Sequence, residues 1–273
     1  MENRFAIFGR SGCKLQFNDD GSILRKISNS PQYNERLFSQ YVKQKTFTWQ
    51  GKFVTPKVYA FHDTSELHSF DMQYVYGKTF DCFCVESNVR QINIFANDLI
   101  EFVKENLDKS IWTNIDFSHL EQKLIDLRRK LDPFCYAYVD FLLKNPIKKL
   151  PIGKSHGDIT MSNIVFSNVY YLVDFLDNIY ETPFNDLIKI RQDTEHKFYL
   201  DLIRKKETKI ETCLNYIDSQ IRSTFSDVID TMEYVWLTIF SLLRVLPYLK
   251  NEQEKTTIMN GLKKYERYIT SCR

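Results

Sequence analysis

The stretch Ser155-His156-Gly157-Asp158-Ile159-Thr160-Met161-Ser162-Asn163 decides how the chain is read, together with its continuation through Ile164-Val165-Phe166, Ser167-Asn168, Tyr171-Leu172-Val173 and Asp174-Phe175-Leu176-Asp177. Two short apolar, β-prone runs about a polar turn read as a hairpin. Folding back after Phe166 returns Asp174 toward the end where Asn163 enters, because antiparallel strands lie side by side. The segment thus carries a carboxylate at Asp158, an amide at Asn163 and a second carboxylate at Asp174. Phosphoryl transfer asks for these groups: a carboxylate that orients an attacking hydroxyl and accepts its proton, and oxygen ligands for the magnesium that bridges nucleotide phosphates. Asp158 suits the first role, Asn163 and Asp174 the second. The bland alternative is a polar turn around an ordinary hairpin, and three coincident spacings speak against it.

Working outward, the first seventy-odd residues read as short strands with one helix. The strands are Arg4 to Phe8, Lys14 to Phe17, Ser22 to Ile27, Lys57 to Phe61 and Ser69 to Val75, and the helix runs from Gln32 to Lys45. Asn18-Asp19-Asp20-Gly21 is a turn signal and Ser30-Pro31 a helix-start signal. After Tyr76-Gly77-Lys78 the pattern changes to helical periods: Glu86 to Leu107, Phe117 to Lys130, Asp132 to Leu143, Phe184 to Leu202, Glu207 to Thr224 and Val228 to Leu246. In the third strand, alternation puts Leu24 and Lys26 on one face and Ile23, Arg25 and Ile27 on the other. Lys26 is the candidate phosphate-binding lysine, with Arg25 its rival. Gly9-Arg10-Ser11-Gly12 between two strands would let backbone N–H groups approach phosphates closely, although a plain turn also wants glycine.

With these residues in place, the chain resembles the aminoglycoside phosphotransferase and choline kinase superfamily, over about residues 5 to 195. The resemblance implies an α+β, two-lobed protein-kinase-like fold. A small β-rich N-lobe, residues 1–77, would bind nucleotide, and a larger, mainly helical C-lobe, residues 78–273, would carry catalysis and the acceptor. It implies ATP and Mg²⁺, with Asp158 as catalytic base, Asn163 and Asp174 as magnesium ligands and Asp177 as an additional polar contact. Gly9 and Gly12 would cover the phosphates, Glu35 would be the acidic partner of Lys26, and adenine would meet backbone groups near Gln73 to Val75. Asp186, in Thr182-Pro183-Phe184-Asn185-Asp186-Leu187, would brace the catalytic loop. His156 reads as a hydrogen-bonding residue of that loop rather than a base. Arg244 interrupts an apolar helical face where an anionic acceptor would sit, and a helix-terminal arginine satisfying carbonyls explains it equally well. Lys189 and Arg191 raise the same question.

Composition removes several classes. With 37 basic and 35 acidic side chains the net charge is +2, which gives no general field for nucleic acid or anionic lipid. Six cysteines stand without a C-x-x-C pair, so structural zinc is not expected. The longest apolar stretch, Tyr234 to Leu243, is too short to span a bilayer and reads as a buried helix, so no membrane insertion is expected. The N-terminal residues carry charges and lack an apolar signal region, which predicts a cytoplasmic protein with reduced thiols.

The expected activity is ATP-dependent phosphorylation of a hydroxyl on a small-molecule acceptor. No acidic cluster suited to polycationic aminoglycosides stands out in the carboxy-terminal helices. A sugar or sugar-derived metabolite, in surface polysaccharide or other carbohydrate metabolism, is the expected acceptor. The rivals are an antibiotic kinase, a protein kinase and a pseudokinase-like binding or scaffold module; the Gly-x-Gly-x-x-Gly, Asp-Phe-Gly and Ala-Pro-Glu markers of protein kinases are absent, which disfavours a protein substrate. Glycine is scarce, 8 of 273 residues or about 3% against a usual ~7%. Six of the eight fall near the segments named above, leaving Gly51 and Gly261 apart.

Overall fold

The computed structural model describes residues 7–8, 13–48, 51–64, 66–204 and 207–270. Its strands are β1 (Ile7–Phe8), β2 (Lys14–Phe17), β3 (Ile23–Ile27), β4 (Phe53–Val54), β5 (Val58–His62), β6 (Ser69–Gln73), β7 (Ile111–Asn114), β8 (Lys149–Ile152), β9 (Ile164–Phe166) and β10 (Tyr170–Leu172). Its helices are α1 (Asn34–Thr46), α2 (Phe80–Glu86), α3 (Val89–Asp108), α4 (Ser118–Arg128), α5 (Tyr136–Lys144), α6 (Pro183–Thr194), α7 (Phe198–Ile203), α8 (Thr208–Thr224), α9 (Ser226–Ile229), α10 (Met232–Val245), α11 (Glu252–Lys263) and α12 (Glu266–Thr270).

Two compact units make up the chain. The first comprises Met1–Phe83 with Ser162–Asp177, and the second Cys84–Met161 with Asn178–Arg273. The hairpin Ser162–Asp177 therefore belongs to the compact body of the first unit, whereas the division at residues 77 and 78 had grouped it with the helices.

The first unit is built on an antiparallel sheet of order β1-β2-β3-β6-β5. The strands of the β2, β3 and β6 ladder are four or five residues long. Cys13, Leu37, Phe70 and Met72 are buried there, with Leu24, Tyr33, Tyr41, Val58 and Phe61 packed against them. A second sheet, β4-β10-β9, pairs β10 antiparallel with β9 and parallel with β4. The chain after β6 meets this hairpin directly: Lys78 and Phe166 exchange two backbone hydrogen bonds, of 2.7 and 2.9 Å. Gly77 makes the approach feasible, since a Cβ there would lie 2.5 Å from Val165 Cγ1 and 2.6 Å from the Phe166 carbonyl oxygen.

The second unit is helical apart from the β7-β8 ribbon. Its α3 starts with a capping box, in which Asn88 and Gln91 each accept the other's backbone N–H. Trp236, Tyr234, Tyr199, Phe95, Phe102 and Phe184 are among its fully buried side chains. The Trp236 indole donates to the Leu142 carbonyl at 3.1 Å, which satisfies the one polar atom of that ring inside the core. The expected helix from Phe184 to Leu202 is instead two, α6 and α7, divided where Lys197 takes a left-handed φ of 62°. Among the described residues no helix is long and apolar enough to cross a membrane.

Candidate active site

Lys26 stands in β3 with its side chain inside the first unit, 3% exposed, while Arg25 points outward. Arg25 is engaged by Asp71 through two bonds, Nε to Oδ1 at 2.6 Å and Nη2 to Oδ2 at 2.8 Å. Of the two basic residues that alternation left open, the inward one is Lys26. Its ammonium donates to Asp174 Oδ1 at 2.5 Å and to Gln40 Oε1 at 3.0 Å. Burial works against the charge, but the Asp174 carboxylate outweighs it and holds the ammonium above its ordinary range.

The expected partner Glu35 is not at this contact: it lies exposed in the first turn of α1. Five residues turn an α-helix by about 500°, which places Gln40 roughly 140° away from Glu35 around the axis. Gln40 shares the buried face with Leu37 and Gln44, and that face carries the contact. One turn on, Lys43 donates to the Leu176 carbonyl at 2.7 Å, tying α1 to the segment after Asp174.

The hairpin brings its two ends together as expected. The Val173 N–H donates to the Asn163 carbonyl at 3.0 Å, so Asn163 and the residue before Asp174 are hydrogen-bonded neighbours. Asp174 adopts a left-handed φ of 60°, a conformation few residues other than glycine take up and one that concentrates at functional positions. Its side chain is 43% exposed, whereas Phe175 beside it is buried. Amide and carboxylate oxygens at one hairpin end are the hard donors magnesium takes, with phosphates and water completing its shell. The residues present therefore fit that ion. Asp177 is exposed three residues further on.

Gln73 does not offer its N–H to an adenine: it donates to the Lys57 carbonyl at 2.8 Å, inside the β-ladder. Tyr74 likewise donates to the Ser22 carbonyl at 2.9 Å. Val75 lies just past the end of this ladder. Gly9 and Gly12 lie outside the described residues.

In the second unit, the loop from His156 to Met161 is held by one stripe of α6. Thr182 caps the helix by accepting the Phe184 N–H, and Pro183 opens it. Asp186, 1% exposed, accepts the His156 N–H at 2.8 Å and the Gly157 N–H at 2.7 Å. Lys189 Nζ lies 3.1 Å from Asp158 Oδ1. Asp193, also buried, accepts the Met161 N–H at 2.6 Å. Spacings of three and four align these side chains along a helix, and they meet the loop in its own chain order.

Gly157 supplies the left-handed turn before Asp158, with φ at 88°. His156 is fully buried and its Nδ1 accepts the Asp158 N–H at 3.2 Å, a structural use of the ring. Arg244 sits 5.5 Å over the Phe240 ring, one turn back on α10, a stacking contact within its own helix.

Gln40, Lys43 and Asp193 were not singled out as site residues by sequence, and Lys189 was raised only as a contact for an anionic acceptor, not as a neighbour of Asp158. For Asp193 a signal existed, since it stands seven residues after Asp186 on the same helical stripe. Gln40 had none, because the phase of α1 relative to β3 depends on how the connecting turn packs.

Comparison with solved structures identifies the fold. The chain is similar to a thermostable mutant of aminoglycoside phosphotransferase APH(4)-Ia, in ternary complex with AMP-PNP and hygromycin B, at 9% identity and a TM-score of 0.59; the match covers 95% of this chain and 89% of that one. It is similar to an aminoglycoside-3'-phosphotransferase of type VIII at 11% identity and a TM-score of 0.58, covering 91% and 93%. A third match is the aminoglycoside phosphotransferase APH(3'')-Id from Streptomyces rimosus, with 13% identity, a TM-score of 0.55 and coverage of 85% and 90%. No family model and no curated protein matches the sequence. The chain has the kinase-like α+β fold of these phosphotransferases.

Proposed function

We propose, from the fold shared with solved small-molecule phosphotransferases, that this chain moves the γ-phosphoryl group of ATP to a hydroxyl of a small molecule, with magnesium. The observation that supports this most is the buried Lys26 ammonium on Asp174, at 2.5 Å across 148 residues of sequence. A buried lysine is costly unless it serves a charge, and phosphate oxygens are the charge this fold's relatives handle in their AMP-PNP complex.

In this reading Lys26 binds phosphate oxygens, and Gln40 orients it from α1. Asn163 and Asp174 would hold the magnesium, which when bound neutralises charge on the phosphates. Asp158 orients the acceptor hydroxyl and takes its proton. Asp186 and Asp193 keep the loop around Asp158 in place before substrate arrives, and such preorganisation would supply most of the rate. Basic and acidic side chains nearly balance along α8 to α12, with no excess of carboxylates to gather an acceptor with several cationic groups. The acceptor favoured here is a sugar or sugar-derived metabolite of carbohydrate metabolism, in a cytoplasmic setting where ATP is abundant.

The test is thermal unfolding with ATP, with and without magnesium, and then ADP release across a metabolite panel. Stabilisation that needs both ATP and magnesium, and ADP release with one class of hydroxylated metabolite, is expected. Stabilisation without ADP release from any metabolite would favour a scaffold, and no stabilisation at all would overturn nucleotide binding.

A further inference from the structure

We propose that Lys189 is the positioning residue of Asp158, a role that rests on the function proposed above. The Lys189 ammonium is 3.1 Å from Asp158 Oδ1, with the two side chains only 16% and 30% exposed. A solvated surface pair of this kind contributes little. This pair is largely withdrawn from water, where losing one partner leaves the other charge uncompensated.

Its place on α6 gives the contact meaning. Asp186 fixes the main chain immediately before Asp158 and Asp193 fixes it at Met161, so both flanks of the loop are held by backbone bonds. Those bonds act on the main chain, whereas Lys189, between Asp186 and Asp193 on the same stripe, acts on the Asp158 carboxylate itself, with its ammonium on Oδ1. An ionised carboxylate accepts through both oxygens, so a cation held on one of them orients the group toward the acceptor hydroxyl. Rigid support of this type decides whether a reacting group is held close enough to act.

The experiment compares Lys189→Met, which keeps the length and loses the charge, with Lys189→Arg. Steady-state ADP release from Mg·ATP is measured with the metabolite the panel identifies, or with water as acceptor, alongside Mg·ATP binding by calorimetry. Lys189→Met is expected to lower kcat about ten- to a hundredfold while KM for ATP and the calorimetric affinity stay within about twofold, and Lys189→Arg to recover most of kcat. A kcat for Lys189→Met within about twofold of wild type overturns the role, as does a parallel loss of ATP affinity and turnover, which would mark a merely structural residue. A wild-type protein that neither binds Mg·ATP nor releases ADP overturns the underlying reading instead, and that failure is visible before any variant is made.

Discussion

The carboxylate of Asp186 lies 2.7 Å from the Gly157 N–H, and its other oxygen takes the N–H of His156 at 2.8 Å. A single buried side chain thus satisfies two consecutive backbone donors immediately before Asp158. Asp186→Ala would orphan both, at about 1–3 kcal/mol each. Asp186→Asn would do little better, because an amide presents one acceptor oxygen and turns N–H toward the second donor. Urea unfolding should show a loss of at least about 2 kcal/mol for either variant, and a loss well under 1 kcal/mol would contradict the brace.

Lys26 leans on Gln40, so α1 should influence nucleotide binding through that residue and not through Glu35. Calorimetry of Mg·ATP should show Lys26→Met weakening affinity at least about tenfold, Gln40→Leu weakening it severalfold, and Glu35→Gln leaving it within about twofold. Sensitivity at Glu35 with none at Gln40 would reverse the assignment.

Gly77 admits the Phe166 backbone at a distance no side chain tolerates. Gly77→Ala would push its Cβ to 2.6 Å from the Phe166 carbonyl oxygen, so the chain after β6 must shift off the hairpin. A loss of about 1–3 kcal/mol is expected, read as a drop of several degrees in Tm. An unchanged Tm would show that the contact yields freely.

His196 is 8% exposed, and burial, with Lys264 and Arg191 adding to it and Glu195 opposing, pushes its pKa down to about 4. A histidine held neutral in the fold and protonated when unfolded lets the unfolded state bind the extra proton between the two values. Stability is therefore full above about pH 6.5 and falls as the pH drops toward 4, by up to about 3 kcal/mol. Urea unfolding from pH 7.5 to 4.5 should show wild type losing more stability than His196→Gln across this window. Parallel curves would remove His196 as the cause.

Much of this arrangement was legible in the chain, and the parts that were not share a physical origin. The hairpin could be read because Ile164 to Phe166 and Tyr171 to Val173 are β-prone and flank a polar turn. Alternation put Lys26 and Arg25 on opposite faces of the strand, and only the packing of the sheet shows that Lys26 is the inward one. Lys26's helical partner could not, because helix phase depends on the Pro31–Tyr33 turn that delays α1 until Asn34. The end of α6 was equally hidden: Lys197 takes a left-handed turn without a glycine or proline to announce it. Asp193 looks like an ordinary charge on a helix, and Lys189 like a contact for an anionic acceptor, until the loop they hold is seen beside them. The scarce glycines proved informative at Gly77 and Gly157, where a close approach and a positive φ explain them.

In the proposed reaction Asp158 serves the acceptor hydroxyl. Asp158→Asn keeps the shape and an oxygen for Lys189, and removes the proton acceptor. The decisive measurement is ADP release by this variant beside its calorimetric affinity for Mg·ATP. Turnover is expected to fall at least about a hundredfold with affinity within about threefold of wild type. Turnover equal to wild type would contradict it.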